Sequence, residues 1–90
     1  MLVSVLFLGG VIMQEQKIKQ NNINIGANIK RIRKQQNIKQ TEMVQKLDLL
    51  GVYITRQMLV KIERGDQHIY ASQLKAIKEV LNTTYDELFK

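Results

Sequence analysis

Residues 55–65 read TRQMLVKIERG and carry the signals for both ends of one short helix. Thr55 is a residue type that caps helix N termini, and Gly65 is the type that ends helices in a left-handed conformation. Between them, apolar residues recur at helical spacing and mark one buried face: Met58, Leu59 and Ile62. The pattern predicts a short helix, Arg56–Arg64, with polar and basic residues on the rest of its surface.

Two further helices are predicted upstream. The first begins after Asn24, a good capping residue, and ends near residues 36–37, where an Asn tolerates left-handed backbone. Ile38 then enters the core, and the second helix begins at Lys39 or Gln40. Apolar residues at helical spacing mark the inward faces: Ile25, Ile29 and Ile32 in the first helix, and Met43, Val44 and Leu47 in the second.

Two more helices are predicted downstream. The fourth is Ala71–Leu81, with three inward residues: Leu74, Ile77 and Leu81. Thr84 and Glu87 have the spacing of a capping box, in which the hydroxyl accepts from the Glu backbone N–H and the carboxylate reaches back to the Thr backbone N–H. They start a short fifth helix carrying Leu88 and Phe89. Since no stretch alternates with period two, no sheet is expected.

Composition excludes several classes of protein. Ninety residues suit one small domain, and the lack of Cys rules out disulfides, thiolate zinc sites and a Cys nucleophile. A single His cannot build a histidine-rich metal site, and no nucleophile–base set or Gly-rich phosphate loop is present. We therefore expect a non-enzyme without a cofactor. The absence of Cys is consistent with a reducing cytoplasm, which is the expected location.

Charge is concentrated near the first predicted helix. The formal net charge is +6, and residues 17–39 contain no acidic residue. Seven basic residues lie in this stretch: Lys17, Lys19, Lys30, Arg31, Arg33, Lys34 and Lys39. Such a stripe favours DNA, RNA or an acidic membrane surface, the alternative being a solvated face of a basic protein.

Three segments, in order, resemble the Cro and phage-repressor family of helix-turn-helix proteins, also called the XRE family. IKQTEMVQKL resembles its second helix, ITRQMLVKIERG its recognition helix, and LKAIKEVLNTTYDELF its fourth helix, turn and fifth helix. The resemblance, which covers residues 25–89, implies an all-α, compact five-helix domain. Residues 48–54 depart from the family because they are several residues longer than its tight turn. They predict an extended turn or a lengthened second helix.

The resemblance makes the third helix the one that reads DNA. A recognition helix enters a major groove about 12 Å wide and contacts base edges with residues near its N terminus. Gln57 can pair bidentately with adenine, Arg56 with guanine or phosphate, and Val60 can touch a thymine methyl. For Lys61 and Arg64, phosphate contact and simple solvation remain open.

Further contacts are predicted outside this helix. Gln40 matches the phosphate-contacting Gln of the family, and Thr41 adds a hydroxyl beside it at a helix N terminus. Lys39 stands where the family has a Ser or Thr cap. The predicted DNA-binding residues are Lys30, Gln40, Thr41, Thr55, Arg56, Gln57, Val60, Lys61 and Arg64.

Two charged or titratable residues of this region are expected to be structural. Glu63 is acidic on a basic helix, so it is predicted to pair internally with Arg33 or Arg31. His68, alone in a polar loop, is expected to be structural or to contact phosphate, because catalysis and metal binding both need partners nearby.

The favoured function is that of a sequence-specific DNA-binding transcriptional regulator, a repressor or small autoregulating switch. It is expected to bind double-stranded DNA as a homodimer, using residues 81–89 or the N-terminal arm for dimerisation. The alternative is a protein-interaction module, such as an antitoxin-like protein that binds a regulatory partner. Peripheral membrane binding is a third and less favoured alternative, so no membrane partner is expected.

The N terminus differs from the rest of the chain. Residues 1–12 read MLVSVLFLGGVI, a run too short to span a membrane and without the flanks of a signal peptide. The codons of Gly9 and Gly10 can spell GGAGG, a ribosome-binding sequence upstream of Met13, so residues 1–12 are expected to come from an over-long gene prediction. Residues 14–24, rich in Gln and Asn, predict a flexible arm, which leaves residues 25–90 as the domain.

Deleting residues 1–12 is therefore expected to leave the melting temperature and DNA affinity nearly unchanged, since the family resemblance begins at Ile25. Thermal unfolding and gel-shift titration of the full and shortened chains measure this. Loss of folding on deletion would show that the apolar run packs on the domain.

Overall fold

The structure is a computed structural model, and it describes residues 17–18 and 24–90. Five helices lie within these residues: α1 (Ile25–Gln35), α2 (Gln40–Leu49), α3 (Arg56–Arg64), α4 (Ala71–Leu81) and α5 (Tyr85–Leu88). Two short strands, β1 (Lys17–Ile18) and β2 (Ile69–Tyr70), complete the architecture. The predicted all-α, five-helix fold is confirmed.

The core is aliphatic and is supplied by every helix. Its fully buried side chains are Ile25, Ile29, Met43, Leu47, Ile54, Leu59, Ile62, Ile69, Ile77, Leu81 and Leu88. Ile38, between α1 and α2, is buried as predicted, and Val44 and Met58 pack partly buried against this cluster. Because α1 packs on α3, and α2 on both α3 and α4, α3 is held from two sides.

Local capping signals fix the helix ends. The Thr55 hydroxyl accepts a 3.0 Å hydrogen bond from the Met58 backbone N–H at the start of α3, and Gly65 ends that helix at φ 80°. Asn37 adopts φ 59° after α1, as predicted. Asn24 occupies the N-cap position of α1, but its side chain makes no capping hydrogen bond.

The extra residues between α2 and α3 lengthen the helix and then form a short turn. α2 continues to Leu49, and Gly51 reverses the chain at φ 81°. The Val52 backbone N–H donates to the Leu47 carbonyl at 3.0 Å, and fully buried Ile54 returns the chain to the core. Three large side chains of this segment are left exposed: Leu49, Leu50 and Tyr53.

Two expectations were wrong in detail. A sheet exists, because β1 pairs antiparallel with β2, joining Lys17 to Tyr70 and Ile18 to Ile69. Strands of two residues are too short to show alternation in the sequence. The capping box is half formed: Thr84 accepts from the Glu87 backbone N–H at 3.2 Å. The Glu87 carboxylate lies instead 3.9 Å from Arg31 and 3.3 Å from Lys90.

Candidate nucleic-acid interface

One face of α3 is polar, basic and open to solvent. Its exposed side chains are Arg56, Gln57, Lys61 and Arg64, and the Val60 side chain on the same face is half-buried. The spacings between them, of three and four residues, place them together along the helix, opposite the buried Leu59 and Ile62. The predicted recognition residues of α3 therefore share one accessible surface.

A buried ion pair holds α3 to α1. Arg33 Nε donates to Glu63 Oε2 at 2.7 Å, and Arg33 Nη2 donates to Glu63 Oε1 at 3.0 Å. The two side chains are only 7% and 1% exposed. The third contact of this guanidinium runs from Nη1 to the Ile38 carbonyl at 2.7 Å. The predicted pairing of Glu63 is confirmed with Arg33, whereas Arg31 lies near Glu87.

The same carboxylate positions the start of α2. Gln40 Nε2 donates to Glu63 Oε1 at 3.0 Å, so the Gln40 side chain is turned toward the buried pair. Thr41, next along the helix, is exposed. The Lys39 backbone N–H donates to Glu42 Oε1 at 3.0 Å, which satisfies one helix-end donor although Lys39 cannot cap with its own side chain. Sequence reasoning did not foresee this inward contact of Gln40.

The remaining predicted DNA-binding residues, Thr55, Arg64 and Lys30, differ in exposure and in hydrogen bonding. The Thr55 hydroxyl is engaged in its cap and is half-buried. Arg64 donates through Nε and Nη2 to Asp66 Oδ2, at 2.9 and 2.7 Å, which leaves its Nη1 group for another acceptor. Lys30 is exposed on α1, outside the network that joins α2 to α3. Exposed His68 lies in the loop after α3, beside Lys17, whose placement no sequence pattern indicated.

Together these contacts form a helix-turn-helix unit whose second helix projects an accessible polar face. A profile of the helix-turn-helix family matches residues 29–88. The chain belongs to the Cro and phage-repressor type of helix-turn-helix proteins. No curated protein and no solved structure gives a significant match. Membership supports a DNA-binding regulator in general, in a family that is not typically enzymatic.

The described part of the chain lacks two other kinds of feature, a metal site and a membrane-spanning helix. Residues 17–18 and 24–90 contain no group of three or more His, Asp or Glu side chains placed to hold a metal ion. No helix in the same residues is long and apolar enough to cross a membrane.

Arg33→Met is expected to destabilise the domain by about 3–5 kcal/mol, because it leaves the Glu63 carboxylate buried without its charge partner. The double variant Arg33→Met/Glu63→Leu should recover most of this loss, since it removes both buried charges. Urea unfolding measures the free energies.

Arg31→Met is the matched control in the same helix. Its ion pair with Glu87 is exposed and 3.9 Å long, so the loss should stay below about 1 kcal/mol. Equal destabilisation by the two single variants, or no recovery in the double variant, would contradict the role assigned to the buried pair.

Proposed function

We propose that this chain is a sequence-specific transcriptional repressor of the cytoplasm that reads the DNA major groove with α3. The observation that carries this proposal is the exposed polar face of α3 on a helix fixed from behind by the Arg33–Glu63 pair. A helix about 10–12 Å across fits a groove about 12 Å wide. It acts by occupying DNA, without catalysis and without a cofactor.

Within α3, the roles follow from chemistry and position. Gln57 lies near the N terminus, where side chains go deepest into the groove, and its amide suits adenine. Arg56 suits guanine or a phosphate, and Val60 suits a thymine methyl. Lys61 and Arg64, toward the other end of the helix, are assigned to phosphates.

Outside α3, the N terminus of α2 contributes phosphate contacts. Gln40 donates one amide hydrogen to Glu63 and retains its second, while its backbone N–H belongs to the first turn of α2. Thr41 adds an exposed hydroxyl beside it. Thr55 supports the start of α3 through its cap, and Lys30 adds positive charge from α1. These contacts set the register of α3 without reading sequence.

The repressor is proposed to act as a two-fold dimer, because one nine-residue helix reads only a few base pairs. An apolar groove of about 310 Å³ supports contact near α5. It is lined by Ile18, Ala71, Leu74, Tyr85 and Phe89. Tyr85 and Phe89 are each 42% exposed, and their rings lie 6.1 Å apart. Half-sites about 34 Å apart, one turn of DNA, are the spacing expected for such a dimer.

A second candidate function is recognition of a regulatory protein, as in an antitoxin-like pair. The specific observation is the exposed apolar segment that follows α2, where Leu49 is 84% and Tyr53 74% exposed. Leu49 and Leu50 line a groove of about 400 Å³ with Val80 of α4, flanked by Lys46 and Glu79. Gel shifts separate the two candidates, since a protein-binding module need not bind DNA at all.

DNA binding is expected to weaken steeply with salt. If several cations contact phosphate, log K should fall against log salt with a slope of about −0.9 per contact. Lys30→Ala should lower affinity for all sequences to a similar extent and reduce that slope by about one unit. Gel shifts over a salt series, with anionic vesicles as the comparison surface, provide the measurement. Salt-independent affinity, or equal binding to vesicles, would overturn the proposal.

Gln57→Ala is expected to cost about 1–3 kcal/mol on the preferred site and to flatten the base preference at one position in each half-site. Binding to unrelated DNA should be unchanged. Random-site selection followed by sequencing, run for parent and variant, measures the preference.

Arg64→Ala is the matched comparison on the same helix face. It should weaken binding to all sequences while leaving the selected bases intact, because a phosphate contact carries no sequence information. Both side chains are exposed, so both variants should keep their fold. Unchanged base preferences in Gln57→Ala would mean that α3 docks in another orientation.

A further inference from the structure

The pairing of β1 with β2 creates a polar cleft beside the end of α3. The cleft has a volume of about 330 Å³ and is lined by Lys17, Asp66, Gln67, His68 and Tyr70. Four of these residues belong to the segment that directly follows α3, and the fifth comes from the N-terminal arm. The cleft thus joins two parts of the chain that lie far apart in sequence, and we refer to it as the arm cleft.

Core packing holds Lys17 in the arm cleft. The two strands pair Ile18 with fully buried Ile69 and Lys17 with Tyr70. Successive side chains of a strand point to opposite faces, so with Ile18 packed on the core, Lys17 points outward. Its Nζ atom lies 5.8 Å from the centroid of the Tyr70 ring. The ammonium group is therefore placed by structure before any ligand arrives.

The charges around the arm cleft favour an anion. The one acidic side chain that lines it, Asp66, is paired with Arg64 through two hydrogen bonds of 2.9 and 2.7 Å. This pair is neutral overall, which leaves the charge of Lys17 uncompensated within the lining. His68 and Tyr70 add a ring N–H and a hydroxyl, both of which can donate to an oxyanion.

The arm cleft lies beside the C-terminal end of α3, and this position favours a phosphate of DNA as the anion. A helix of nine residues is about 13.5 Å long, close to the groove width of about 12 Å. When the N-terminal half of α3 is deep in the groove, its C-terminal end lies near a groove edge, which the phosphates form. His68 follows Arg64 by four residues, a span of at most about 14 Å, so the arm cleft lies close to that end of α3.

We infer that the arm cleft binds a phosphodiester group of the DNA backbone, with Lys17 as its charged contact and His68 and Tyr70 as hydrogen-bond donors. This inference rests on the proposed function. It makes the strand-paired arm part of the DNA-binding surface, where it adds affinity and orientation and leaves the base preference to α3.

Lys17→Gln tests the inference, because it removes the charge while retaining a long polar side chain. At 0.1 M salt, the variant should bind DNA about five- to tenfold more weakly, with the same loss on preferred and unrelated sequences. The ratio of parent to variant affinity should fall about 3.5-fold when salt rises from 50 to 200 mM, as expected for the removal of one phosphate contact. Lys17→Arg should restore most of the affinity. Unfolding curves should match those of the parent.

Lys46→Gln is the matched control. Lys46 is exposed and borders the groove between α2 and α4, so its removal changes the net charge equally without touching the arm cleft. A duplex carrying single neutral methylphosphonate groups gives a second readout. One flanking substitution should weaken the parent and leave Lys17→Gln unaffected.

The outcomes separate this inference from the proposed function. If the parent chain does not bind DNA in a salt-sensitive manner, both fail. If the parent binds DNA but Lys17→Gln behaves like Lys46→Gln, the arm cleft does not hold a phosphate and the role of α3 is untouched. Altered base preference in Lys17→Gln would also overturn the inference, because it would place Lys17 at a base edge.

Discussion

The buried bidentate ion pair between Arg33 and Glu63 ties together the helices that form the candidate interface. It joins residues 30 positions apart in sequence, in α1 and α3, and both side chains are almost completely buried. A planar guanidinium suits this site because two of its N–H groups can donate in parallel to one carboxylate. A third N–H group then donates to the Ile38 carbonyl. Gln40 adds the start of α2 to the same carboxylate. Three elements of the candidate interface are therefore positioned by one buried group.

This constraint explains how the domain accommodates its unusual segment between α2 and α3. After the extra residues, the start of α3 is fixed by the Thr55 cap and its end by Glu63 and Gly65. The extra residues form the last two residues of α2 and a loop, which returns to the core at Ile54. The consequence is an apolar surface in which Leu49, Leu50 and Tyr53 are exposed.

Much of the fold could be predicted because its signals are local. Helix boundaries depend on residues such as Thr55 and Gly65, which act within one turn, and the core follows from the spacing of isoleucines and leucines. The internal pairing of Glu63 could also be predicted, since an acid on a basic helix needs a partner, but the spacing of residues left Arg33 and Arg31 as alternatives. The pairing of Lys17 with Tyr70 was not, because a two-residue strand has no period and its partner lies far along the chain.

The sequence predicted which residues of α3 share an exposed face, but it did not predict the hydrogen bonds that residues of the candidate site make. The outward residues of α3 follow from helical geometry once Leu59 and Ile62 are assigned to the core. The inward turn of Gln40 and the pairing of Arg64 with Asp66 depend on three-dimensional proximity, which the spacing of residues does not encode.

The most direct test of the central claim is the map of amide chemical shifts of the isotope-labelled chain as short double-stranded DNA is added. If the buried pair presents α3 to the groove, the largest changes should fall on the exposed positions of α3 and the first turn of α2, with little change at Leu49, Leu50 and Val80. Changes centred on Leu49, Leu50 and Val80, with α3 unaffected, would contradict this view and assign the binding surface to the segment after α2.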